Sequence, residues 1–254
     1  MNAEIGRADK ILVKLGLYES RAAAQAAIAV GCVTAAGKPI TKASQMLSTN
    51  AKIDARRPHP YVSRAGLKLA HALKIFDIQP KDRLCLDIGA STGGFSQVLL
   101  EAGAHRVIAV DVGHGQLHPS LAGTPRLISL ERTDARSLSA HQLLSPPDLI
   151  VCDASFISLH KVLAVPLSLA APTADLICLF KPQFEVGRAY IGKGGLVRNQ
   201  DAVQRAQTAF CSWLEQHDWP VMAHSDSPIT GGDGNAETLI WAQRGSQRLA
   251  PIAL

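Results

Sequence analysis

From Arg83 onward, short apolar runs alternate with amphipathic ones, and few architectures accept that pattern. RLCLDIG (83–89) precedes FSQVLLEAGA (95–104). RVIAVDVG (106–113) and PRLISLE (125–131) follow, then DLIVCDAS (148–155) and a Pro-interrupted helix from about Ser158. ADLICLFKPQ (174–183) leads to DAVQRAQTAFCSWLEQ (201–216), and two more strands are expected near 221–227 and 237–243. Apolar strands separated by helices predict an α/β domain whose mainly parallel sheet is covered on both faces. Ligands of such a sheet sit at the carboxyl ends of its strands. The residues worth weighing are therefore those at strand ends.

LDIGASTGG (86–94) joins the first apolar strand to a helix, so its glycines fall where the backbone must turn tightly and approach a ligand closely. It is not the Gly-x-Gly-x-x-Gly dinucleotide pattern, and the carboxylate of Asp87 would repel a pyrophosphate. Asp87 suits a ligand that carries an ammonium group. S-adenosylmethionine carries an ammonium and a sulfonium, and no phosphate. Asp111 ends the second strand roughly 20 residues past the glycines, where a carboxylate can accept the hydroxyls of an adenosine ribose. Asp134 and Asp153, after the third and fourth strands, are placed for the same rim. The candidate cofactor residues are Asp87, Gly89, Ser91, Gly93, Gly94, Asp111, Asp134 and Asp153. Taken singly, Asp87, Gly89 and Asp111 are as readily turn or surface residues; as a set on consecutive strand ends they favour the cofactor.

Lys68 in YVSRAGLKLAHAL, Asp153 in DLIVCDASFISL, Lys181 in LICLFKPQFEVGR and Glu237 in SPITGGDGNAETLIW form a set that an RNA ribose methyltransferase would need. Methylating an alcohol requires an oxygen in line with the methyl group, and a base or a field that favours loss of the hydroxyl proton. Two roles stand open for Lys181. As a free base its pKa must fall roughly 3 units from about 10.4, costing about 4 kcal/mol. As an ammonium it would orient the hydroxyl and stabilise developing negative charge. Asp153 and Glu237 would hold the two lysines in register. GGDGN (231–235) could turn tightly enough to aim Glu237 at the cleft, and SFISL and KPQFEVGR are expected as strand-end loops around the substrate. Arg64, Arg188, Lys193 and Arg198 are further candidates for phosphate contacts.

Residues 1–60 hold 9 Lys/Arg against 4 Asp/Glu, whereas residues 61–254 hold 17 of each, so the whole +5 formal charge belongs to the amino-terminal segment. Within it DKILVKLGL and RAAAQAAIAV read as helices, and Ala36-Gly37-Lys38-Pro39 as the turn of a hairpin. This is a small α/β module at residues 1–54. ARRPHP begins a linker over 55–62, and 63–254 form the catalytic-sized body. A basic module on a neutral body suggests a polyanion held by one part and processed by the other. Arg7, Lys10, Arg21, Lys38 and Lys42, with Arg64, are the RNA-binding candidates. The five cysteines include no Cys-x-x-Cys pair and no zinc-like spacing, which fits a reduced cytoplasm and no metal. The most apolar stretch, VLAVPLSLAAP (162–172), is too short to span a bilayer, and no export signal is expected.

With these motifs laid out, the chain resembles the TlyA family, also called haemolysin A, of rRNA 2′-O-methyltransferases. YVSRAGLKL, DIGASTGGF, DASFISL, KPQFEVGR and GNAE carry the likeness as a set. RADKILVKLGLYESRAAAQAAIAVGCVTAAGKPITKASQ resembles the RNA-binding domain of ribosomal protein S-four, and the remainder resembles a methyltransferase domain of the FtsJ type. The resemblance implies a Rossmann-like, S-adenosylmethionine-dependent enzyme that methylates cytidine ribose in the large ribosomal subunit, and in some members also the small one. It implies that Lys68, Asp153, Lys181 and Glu237 are the catalytic tetrad. Asp134 stands where the family commonly has Asn. Two rival readings are a membrane-active haemolysin and a noncatalytic RNA-binding or ribosome-assembly factor.

Overall fold

The computed structural model describes residues 3–245, which divide into two units at Pro60 and Tyr61. In the amino-terminal unit, β1 (Ile5–Arg7) leads directly into α1 (Ala8–Lys14), and α2 (Arg21–Ala29) follows. The Ser20 side chain caps α2 by accepting the Ala23 N–H. Strands β2 (Val33–Ala35) and β3 (Lys38–Pro39) form the expected hairpin. Ala36 and Gly37 both take positive φ, which suits the right-handed twist of the strands they join. β4 (Met46–Ser48) pairs with β1, and β5 (Ile53–Ala55) with β2, both antiparallel. Ala55, expected to open the linker, therefore ends a strand. Ile11, Leu12, Ala24, Ala27, Ile28 and Val33 give the unit a core of its own.

The carboxy-terminal unit opens with α3 (Ala65–Ile75), then β6 (Leu84–Ile88), α4 (Gly94–Glu101), β7 (Arg106–Val110), β8 (Leu127–Leu130), β9 (Leu149–Cys152) and α5 (Leu159–Ser168). β10 (Ala174–Phe180), the one-turn helix α6 (Pro182–Glu185), α7 (Gln200–Gln216), β11 (Val221–Asp226) and β12 (Thr238–Arg244) complete it. One seven-stranded sheet has the order β11-β12-β10-β9-β6-β7-β8. Its five strands from β10 to β8 are parallel, and β12 slots in antiparallel between β10 and β11.

Side chains alternate across this sheet, as strand geometry requires. Leu86, Ile108, Ile150, Leu176 and Cys178 face α5 and α7 on one side, and Cys85, Val107, Leu149, Val151 and Ile177 face α3 and α4 on the other. β6, β7, β9 and β10 are apolar along nearly their whole length because both of their faces are covered. Cys85, Cys152 and Cys178 are buried within them as small apolar side chains. Among the described residues no helix is long and apolar enough to cross a membrane.

Candidate active site

The carboxyl ends of β6, β7 and β9 open onto a cavity of about 610 Å³ lined by Gly89, Ser91, Asp111, Gln116, Asp134 and Asp153, among others. Gly89 closes its floor at φ +77°, and a Cβ there would lie 3.0 Å from the Asp153 backbone oxygen. Only glycine fits where the turn after β6 passes this close to the end of its parallel neighbour β9. Asp111 braces two loops, its Oδ2 accepting the Ser91 N–H at 2.8 Å and its Oδ1 the Gly113 N–H at 2.7 Å. Each oxygen keeps a lone pair for a ligand hydroxyl. Asp134 is engaged by Arg136, with Nη2 2.6 Å from Oδ2. That guanidinium, with the Arg136 backbone N–H, holds the Asp134 carboxyl below its ordinary pKa.

Three of the residues expected at the cofactor do not line this cavity. Asp87 is fully buried, because alternation along β6 turns it toward α4, where Ser96 Oγ donates to its Oδ2 at 2.6 Å. Burial pushes its pKa up to about 7. Gly93, at φ +89°, leaves room for the Leu117 and Leu121 side chains, and a Cβ on Gly94 would collide with Ser63 Oγ. These two glycines let the start of α4 pack closely on its neighbours.

A second cavity, about 380 Å³, shares Gly89, Ser91, Asp153 and Ser155 with the first and adds Ser63, Arg64, Lys68 and Lys181. Lys68 is brought there by α3, Asp153 by the end of β9 and Lys181 by the end of β10, while Glu237, on the approach to β12, lies behind Lys68. Lys68 Nζ lies 2.5 Å from Glu237 Oε2, and Lys181 Nζ 2.6 Å from Asp153 Oδ1. The second approach is a charge contact off the hydrogen-bonding direction. The Lys181 amine instead donates along a proper line to Ser155 Oγ at 2.9 Å. Lys68, Lys181 and Glu237 are all buried. Burial raises the Glu237 pKa, against the fields of Lys68 and Lys181, while Asp153 adds to the rise, so all four charges act on one small volume. GGDGN makes the expected tight loop, the Gly234 N–H donating to the Gly231 carbonyl at 3.0 Å, and a Cβ on Gly231 would lie 2.7 Å from Glu237 Oε1.

Several residues at this rim escaped the sequence reading. Ser155 fixes the Lys181 amine. Phe156 is 91% exposed at φ +65°, lines the 610 Å³ cavity and a neighbouring one of about 670 Å³, and touches Phe184 with ring centroids 5.2 Å apart. Glu185 accepts the Leu159 N–H at 2.8 Å, so α6 holds the start of α5, and burial pushes its pKa up to about 7. KPQFE is thus a one-turn helix rather than the loop expected there.

Arg64 borders the smaller cavity and donates to the Thr230 carbonyl. Arg188, Lys193 and Arg198 are exposed in the same unit, and the remaining cationic candidates lie in the amino-terminal unit. Arg7 and Arg21 converge on the wholly buried Asp9, at 3.0 and 2.8 Å. The hydrogen bond from Arg7, the largest influence, helps hold the Asp9 carboxyl well below the usual range. Lys10, Lys38 and Lys42 are exposed.

Residues 61–244 match the FtsJ-like methyltransferase family, and residues 6–53 match the S4 domain. A protein of Mycobacterium tuberculosis named 16S/23S rRNA (cytidine-2′-O)-methyltransferase TlyA is 40% identical over 97% of this chain and 92% of its own length. The chain belongs to the TlyA family. It is a methyltransferase with an S4 domain before its catalytic fold. A relative in Brachyspira hyodysenteriae, named Hemolysin A, is 36% identical over 92% of this chain and 98% of its own. A solved structure from Streptococcus thermophilus, provisionally described as a hemolysin, superposes with a TM-score of 0.76 at 33% identity, covering 96% of this chain and 90% of that one.

Proposed function

We propose that the chain transfers a methyl group from S-adenosylmethionine to the ribose 2′-hydroxyl of a cytidine in ribosomal RNA, in the cytoplasm. The observation that carries the reading is the meeting of Lys68, Asp153, Lys181 and Glu237 in a buried cleft that adjoins the 610 Å³ cavity. That cavity fits the cofactor chemically. Asp111, whose carboxylate has no ion pair among the described residues, opposes phosphate and keeps acceptors for ribose hydroxyls, while Asp134 and Asp153 face the cavity already paired with Arg136 and Lys181. Bound there, S-adenosylmethionine supplies an electrophilic methyl group.

The chain supplies position and charge. Asp153 and Ser155 fix the Lys181 amine, which reaches the acceptor hydroxyl and either takes its proton as a free base or, as an ammonium, stabilises the oxygen while that proton passes to solvent water. Glu237 holds Lys68 beside it. The exposed ring of Phe156 offers a stacking face for a base drawn out of its helix. Residues 1–54 hold the RNA through Arg7, Lys10, Arg21, Lys38 and Lys42, residues 55–62 link, and residues 63–254 carry out transfer.

The test is methyl transfer by the wild type and by Lys181→Ala, with folding, cofactor affinity and RNA affinity measured alongside. Loss of transfer alone supports an enzyme whose Lys181 acts on the acceptor. Transfer undiminished in the variant would remove Lys181 from the chemistry. A rate that rises with pH through one lysine titration identifies the free base, and a flat profile with chemistry rate-limiting identifies the ammonium.

A further inference from the structure

Two residues before Glu237, Asn235 is 4% exposed and spends both ends of its side-chain amide on one other segment. Its Nδ2 donates to the Gly195 carbonyl at 2.9 Å, and its Oδ1 accepts the Val197 N–H at 2.9 Å. Its backbone meanwhile closes the loop that carries Glu237. The Gly231 N–H donates to the Asn235 carbonyl at 2.9 Å, and the Asn235 N–H to Asp233 Oδ1 at 3.2 Å.

The segment it grips, residues 191–198, reads IGKGGLVR. Ile191 and Val197 form an antiparallel bridge, the Gly192 N–H donates to the Leu196 carbonyl at 2.8 Å, and Gly194 and Gly195 take positive φ at the tip. Three glycines in eight residues leave this backbone many alternatives once it is released. The segment contains no acid, and its two cations, Lys193 and Arg198, are exposed and make no ion pair among the described residues. A hairpin turn before β12 needs no such attachment. Here a buried amide joins the backbone of a cationic loop to the loop that aims a catalytic carboxylate.

We infer that Asn235 is a positioning residue that locks the 191–198 loop to the Glu237 loop, so that Lys193 and Arg198 grip the phosphates of incoming RNA in register with the Lys68–Glu237 pair. This rests on the RNA methyl-transfer reading above. The amide suits the task because it presents a donor and an acceptor side by side. Aspartate keeps the acceptor for Val197 but sets a carboxylate oxygen against the Gly195 carbonyl, and alanine loses both bonds.

The experiment uses the full chain and the ribosomal particle that the wild type methylates. RNA affinity is measured against salt concentration, and methyl transfer in single turnover, for the wild type, Asn235→Ala, Asn235→Asp, Lys193→Ala/Arg198→Ala and the triple variant with Asn235→Ala. S-adenosylmethionine affinity and the thermal midpoint report the fold. Losing two phosphate contacts should lower the salt slope by about 1.4 to 1.8. That loss is expected in Lys193→Ala/Arg198→Ala and in both Asn235 variants, and the triple variant should bind RNA no more weakly than Lys193→Ala/Arg198→Ala. The Asn235 variants should also transfer methyl at least about tenfold more slowly, with cofactor affinity within about threefold of wild type.

An unchanged salt slope in folded Asn235 variants, or a triple variant whose losses simply add, overturns the inference. Should the Asn235 variants fail to fold, an unchanged slope in Lys193→Ala/Arg198→Ala overturns it equally. A wild type that neither binds RNA nor transfers methyl defeats the underlying reading instead.

Discussion

Lys181 ends a strand buried along its whole length and is followed by Pro182, so its backbone exit is fixed before any side chain is considered. Asp153 and Ser155 then leave its amine little freedom. Lys181→Ala should lower the methyl-transfer rate by about 10² to 10⁴-fold with S-adenosylmethionine affinity retained, read by single-turnover kinetics and calorimetry. Phe156→Ala should raise KM for RNA more than it lowers kcat, because the ring offers binding surface and no proton chemistry; equal falls in kcat and kcat/KM would place it in the transition state. Asp87 makes a thermodynamic prediction. Its folded pKa of about 7 lies above the ordinary carboxylate value, so the folded state binds its proton more tightly than the unfolded state does. Stability tied to that proton is fully present below about pH 4 and is lost as pH rises through 7. Asp87→Asn should therefore gain stability relative to wild type between pH 5 and pH 8, by a few kcal/mol at most, as measured by urea unfolding. At this scale the four residues that come together were legible because each sits in a short distinctive motif. The pairing of Lys68 with Glu237 across 169 residues was not legible. Nor was the inward turn of Asp87, which depends on which face of β6 meets α4.

Sequence periodicity located the strands and helices from β6 onward because burial on both faces makes β6, β7, β9 and β10 continuous apolar runs, but it passed over α3 and the short strands β1, β4 and β5. It did not show α6. Four residues are too few for a helical period, and what holds that turn is the Glu185 bond to the start of α5, 26 residues away in sequence. The glycines of LDIGASTGG were visible, but their separate tasks were not. Gly89 lets the turn after β6 pass close to the end of β9, whereas Gly94 brings the start of α4 against Ser63 and Gly66. Gly94→Ala should cost about 1 to 3 kcal/mol of stability through overpacking, seen as a lower thermal midpoint, with Lys181-dependent chemistry kept wherever the protein remains folded. An unchanged midpoint would mean that Ser63 moves aside freely.

Each unit has its own core, and the net positive charge sits in residues 1–60. Removing those residues should leave S-adenosylmethionine binding intact while RNA affinity falls and loses most of its salt dependence, measured by titration at several ionic strengths. Equal RNA binding by the shortened chain would refute that division of labour. The charge asymmetry was readable from composition alone. The identity of the RNA site was not, because rRNA is recognised by shape and exposed bases that no single chain encodes as a motif. The most direct measurement is transfer of labelled methyl from S-adenosylmethionine to isolated small subunits, large subunits and free rRNA, by wild type and Lys181→Ala, with the label mapped to its atom. Label on a cytidine 2′-oxygen, absent with Lys181→Ala, is the expected result and names the particle that is read. Label on a base, or none on any particle while the cofactor binds, would contradict ribose methylation as the function.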